Sequence, residues 1–81
     1  MVESQVFDKV VSILKRYTKA QDALKDVSME TSILEDLKVN SARLVDIVLD
    51  FEDEFDIEVD DEDADKVQTV GDAVRLIMAK S

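Results

Sequence analysis

Apolar residues recur at helical intervals over the first seventeen positions. Val6, Phe7, Val10, Val11, Leu14 and Tyr17 step by three and four, which predicts a helix from about Glu3 to Thr18 with Lys9, Lys15 and Arg16 on its wet side. From Lys19 to Asn40 the periodicity weakens. A connection that long inside a compact domain needs internal anchors, and Val27, Met29, Ile33, Leu34 and Leu37 are the candidates, with a single helical turn expected around Ser32 to Leu37. A second helix is predicted to start at Asn40 or Ser41, both good N-cap types. It carries Leu44, Ile47, Val48, Phe51 and Phe55 on one face, widened by Val45 and Leu49, and no cap glycine marks its end near Phe55.

The next five residues, Asp56 to Asp60, alternate like a strand, but no second strand is available to pair with them. They read as an extended connector that turns Ile57 and Val59 inward. A short helix from Asp61 to Lys66 would carry Ala64 towards the core. Thr69 and Asp72 have the spacing of a capping box, opening a last helix with Val70, Ala73, Val74 and Ile77 that runs to about Ala79. The fold class is therefore all-α: an irregular four-helix bundle of three longer helices and one short, with a long first loop, in a single domain spanning residues 1–81.

Composition narrows the chemistry. The chain has no cysteine and no histidine, which removes disulfides, thiolate metal sites, cysteine nucleophiles and the usual general base near neutral pH. A serine without an imidazole partner makes a poor hydrolase, so the chain reads as a non-enzyme. The N-terminal stretch is neither a signal peptide nor a membrane span, which sets a cytoplasmic expectation. The formal net charge of −10 argues against nucleic acid and anionic lipid as partners and favours basic protein surfaces. That charge is focused: twelve of the twenty acids lie between Asp46 and Asp65, with no lysine or arginine among them.

Residues 32–77 resemble the acyl carrier protein family, the bacterial fatty-acid type in particular. The resemblance rests on Glu35-Asp36-Leu37, Asn40-Ser41-Ala42, the acidic helix ending Glu52-Asp53-Glu54-Phe55-Asp56, and the threonine-capped last helix at Thr69-Val70. It implies that Ser41 is esterified by 4′-phosphopantetheine, transferred from coenzyme A by a phosphopantetheinyl transferase, and that the arm's thiol carries acyl groups. The chain departs from the family pattern around that serine. Asn40 stands where aspartate is usual, Ala42 where leucine is usual, Arg43 where an acid is common, and Lys38 where glycine is frequent. These departures imply a specialised carrier with its own partner enzymes.

Asp46, Asp50, Asp53 and Glu54 flank the apolar stripe of the second helix, and the face they form is expected to have no compensating lysines. Together with Asn40, Leu49, Val59 and Asp61 they are the expected partner-binding residues, docking basic patches on acyl-transferring and acyl-modifying enzymes. Leu49 and Val59 are read either as exposed apolar contacts or as ordinary core. The protein is expected to be monomeric. A calcium loop is excluded, because its sixth position needs glycine and its twelfth glutamate. A loop counted from Asp56 offers Asp61 and Val67, and one counted from Asp50 offers Phe55 and Asp61. No metal site is assigned. The rival reading is an acidic interaction protein that keeps the fold and is never modified.

Overall fold

The structure, a computed structural model, describes residues 2–80. Its order is α1 (Glu3–Leu14), a 3-10 turn (Gln21–Asp26), a second 3-10 turn (Ser41–Arg43) running directly into α2 (Leu44–Phe55), the short α3 (Asp61–Asp65) and α4 (Val70–Lys80). This is the expected irregular bundle, with no strand among the described residues. None of its helices is long and apolar enough to cross a membrane.

α1 packs chiefly against α4 and secondarily against α2. The predicted stripe explains why: Val6, Val10 and Leu14 are fully buried, opposite Val70, Ala73, Val74 and Ile77 of α4, with Ile47 and Phe51 of α2 closing the core. The α-helix proper ends at Leu14, earlier than the expected Thr18. The amides of Arg16 and Tyr17 reach back only three residues, to Ile13 and Leu14, so the last turn tightens before Thr18 closes it on the Leu14 carbonyl at 3.0 Å.

The long loop is anchored as its apolar residues suggest. Ile33 and Leu37 are fully buried, and Val27, Met29 and Leu34 pack partly against the core. The single turn expected around Ser32 to Leu37 is present. Residues 32–37 form one closed turn, with the Asp36 and Leu37 amides on the Ser32 carbonyl, the Ser32 amide on the Asp36 carboxylate, and the Glu35 amide on the Ser32 hydroxyl. The 3-10 helix lies earlier, at Gln21–Asp26, where Ala23 and Leu24 lean on the core. Two apolar residues side by side carry too little periodicity to reveal it.

The loop also reaches the start of α4. The Ile33 amide donates to the Gln68 carbonyl (2.9 Å), and Val70 and Gly71 donate to Thr31 and Met29 (3.0 and 2.8 Å). Gly71 is required there, since a β-carbon would stand 2.6 Å from the Met29 carbonyl oxygen. The predicted capping box is present. The Thr69 hydroxyl accepts from the Asp72 amide at 3.0 Å, and the Asp72 carboxylate accepts from the amides of Thr69 and Gln68 at 3.1 Å each. Partial burial pushes the Asp72 carboxyl up, but these amides and the Arg75 guanidinium outweigh it and hold it below its ordinary value.

α2 ends as sharply as a glycine-capped helix. Asp56 adopts the left-handed conformation (φ 53°), and the Ile57 amide returns to the Glu52 carbonyl at 3.1 Å. Aspartate tolerates that conformation, which is why a missing cap glycine misleads. The connector that follows is extended, as predicted. It buries Ile57, half-buries Val59, and is held by the Val59 amide on the Glu52 carboxylate (3.2 Å).

Candidate functional site

The segment leading into α2 is held firmly on one side and left open on the other. Leu37 and Val39 are buried, and the Thr18 hydroxyl donates to the Leu37 carbonyl. Between them Lys38 takes the left-handed conformation (φ 56°), turning the chain outward. Asn40 is extended and acts as the cap, its Oδ1 accepting from the Ala42 amide at 2.8 Å while its carbonyl accepts from Arg43 at 2.8 Å.

Because Asn40 does the capping, the Ser41 hydroxyl is not needed for it. Ser41 is exposed, and its hydroxyl makes no hydrogen bond among the described residues. It stands at the amino end of a helical run from Ser41 to Phe55, where unpaired amides and the helix dipole favour a negative group. An esterified phosphate could be added here without breaking any hydrogen bond of that side chain. The residues present fit a covalently attached phosphopantetheine.

The acids behind the serine are arranged less simply than the sequence suggests. Asp46 is half-buried and paired with Arg43 at 3.2 Å. Asp50 accepts from the Tyr17 hydroxyl at 2.5 Å and lies 3.9 Å from Arg16, and Glu54 lies 3.9 Å from Lys9. The expectation that this face has no compensating lysines is therefore corrected: Lys9 of α1, and Arg16 just beyond its end, supply cations that no window of the α2 sequence contains. Asp53 and Asp61 are exposed and have no ion pair within 4.0 Å among the described residues. Tyr17 serves the site as well as the core stripe. Its hydrogen bond to Asp50, partial burial, and the charges of Asp50 and Asp46 push its pKa above the ordinary 10.0, with Arg43 pulling the other way.

The apolar part of the surface is also revised. Val45 and Leu49 do not widen the buried face; they are 64% and 56% exposed. They follow Ser41 at intervals of four, so all three share one line along the helix. Val59 is half-buried and packs against the core. Val45 is thus an exposed residue that the sequence reading assigned inward, and its i+4 spacing from Ser41 was the available signal. No group of three or more carboxylates is placed to hold a metal ion among the described residues.

Comparisons with known proteins give the family of the whole chain. Residues 8–77 match the family model described as a phosphopantetheine attachment site. The fold is similar to the solved structure of an acyl carrier protein from Enterococcus faecalis, with a TM-score of 0.82 and 36% identity over the full length of both chains. Comparison with curated protein sequences finds no match.

Proposed function

Because the chain belongs to the acyl carrier protein family, we propose that Ser41 is the residue that takes its phosphopantetheine arm. A protein of this family is a carrier and not a catalyst, and its cofactor is covalent 4′-phosphopantetheine. The arm supplies a thiol that holds acyl groups as thioesters, chemistry that this cysteine-free chain lacks. The observation that carries the assignment is the exposed, unbonded Ser41 hydroxyl beside an Asn40 that already caps the helix.

The chain's own residues present and address the arm. Leu37, Val39 and the Asn40 cap fix the backbone around Ser41, so the attachment point is held while the side chain stays open. The surface running from Asn40 through Asp46, Leu49, Asp50, Asp53 and Glu54, with Val59 and Asp61 across the connector, is the docking face for basic patches on the transferase and on acyl-handling enzymes. Leu49 offers an exposed apolar contact within it, and Asp53 and Asp61 offer unpaired charge. The carrier acts as a cytoplasmic monomer, one domain over residues 1–81, and delivers acyl groups to fatty-acid or specialised lipid or polyketide enzymes.

Intact mass after incubation with coenzyme A and a broad-specificity phosphopantetheinyl transferase tests the assignment. Wild type is expected to gain one arm and Ser41→Ala none, with the melting curve of the variant shifted by no more than about 0.5 kcal/mol. An arm on Ser41→Ala would move the attachment elsewhere. No arm on wild type, from this reaction or from the native source, would leave an unmodified acidic interaction protein.

A further inference from the structure

The acids of α2 are not equally available to a partner, and the two that come first after Ser41 in the chain are both engaged. The residues around the serine are Asn40, Ala42 and Arg43, none of them acidic. The first carboxylate, Asp46, is held by the Arg43 guanidinium at 3.2 Å, and the next, Asp50, by the Tyr17 hydroxyl at 2.5 Å. Arg43 also lies over the Tyr17 ring, 5.5 Å from its centre. Ring and carboxylate together hold the planar guanidinium in place at the start of the helix, where a lone flexible cation would swing free. The unpaired acids Asp53 and Asp61 come only farther along.

We infer that Arg43 is a specificity-determining residue of this carrier, admitting partners that place a neutral or acidic group opposite it and turning away those whose docking patch is basic throughout. The inference rests on the reading of Ser41 as the attachment point. A partner must bring its reacting atoms to Ser41, so it must cover the first turn of the helix. There it meets a fixed cation in place of a free carboxylate. Like charges brought together across an interface oppose docking, so the cation selects by exclusion as much as by attraction. Arg43 touches no reacting atom; it acts through docking alone.

Initial rates of arm transfer test this, using wild type, Arg43→Glu and Arg43→Gln with coenzyme A and a broad-specificity transferase whose docking face is basic. The KM is expected to fall about five- to tenfold for Arg43→Glu and less for Arg43→Gln, with kcat unchanged and the gain shrinking as salt is added. Acceptance of Arg43→Glu where wild type is refused supports the inference equally. Arg43→Gln keeps the comparison open should Arg43→Glu lose helix by circular dichroism. Equal KM values, a change in kcat alone, or refusal of all three proteins while native-source protein carries an arm would overturn the role of Arg43 and leave Ser41 standing. No arm in any setting would overturn both.

Discussion

Where α1 meets α4, Val6, Val10, Leu14, Val70, Val74 and Ile77 are all fully buried, and the Gly71 backbone approaches the loop so closely that a methyl group would not fit. At the start of α2, Asn40, Ser41, Ala42 and Arg43 are all exposed, and the backbone is held by one asparagine cap and a few loop contacts. The first region derives its strength from apolar area removed from water and tolerates little change in shape. The second contributes almost nothing to the core and is free to carry chemistry. Stability and function are thus placed in different parts of the same 81 residues.

The sharpest way to break that contrast is to truncate the core and the site in parallel. Phe51 is 1% exposed at the centre of the bundle. Phe51→Ala should cost about 3–5 kcal/mol, whereas the whole stability of a domain this size is on the order of 4–12 kcal/mol. Urea unfolding should show a large drop in midpoint, or a chain already partly unfolded without denaturant. Ser41→Ala measured alongside should keep the wild-type midpoint. Comparable losses for both would mean that the first turn of α2 supports the fold after all.

Tyr17 joins the two regions, and its contribution should depend on pH. The hydroxyl that donates to Asp50 raises the folded-state pKa above 10.0, so the unfolded chain gives up this proton more readily. The stabilisation is therefore complete below about pH 10 and is lost as pH rises through the folded value. Tyr17→Phe should cost about 1 kcal/mol at neutral pH and should flatten the alkaline limb of the stability profile. Thermal melts between pH 8 and 11 give the test. An unchanged alkaline limb in the variant would assign that limb to other groups.

The packed region was legible in the sequence, and the exposed region only in part. Steps of three and four located α1, α2 and α4 because burial imposes them, and the Thr69–Asp72 spacing located a cap because the side chains must reach particular amides. Three features escaped, each for its own reason. The pairing of Asp50 and Glu54 with Arg16 and Lys9 joins residues more than thirty positions apart, which no local window contains. Val45 is apolar yet exposed, so hydropathy sends it inward. Asp56 closes α2 with a conformation usually signalled by glycine. Ser41 itself is proposed from resemblance, and the geometry adds why its hydroxyl is open: Asn40, one residue earlier, performs the capping that a serine at a helix start would ordinarily perform.

Lys38 offers the finest test of the separation, because it lies three residues before Ser41 and yet its effect should be purely conformational. With φ at 56° its β-carbon crowds the backbone, at a cost of about 1–2 kcal/mol for a residue of this kind. Lys38→Gly removes that crowding but gives the unfolded chain more freedom, which takes back roughly 0.5–1 kcal/mol. The net expectation is a gain below about 1 kcal/mol in urea unfolding, with arm transfer to Ser41 unchanged. A loss of stability would show that the aliphatic stem of the lysine contributes contacts beyond the turn. A stable variant that takes up the arm more slowly would show instead that the turn at Lys38 sets how Ser41 is presented, and the boundary between scaffold and site would then lie two residues earlier than Asn40.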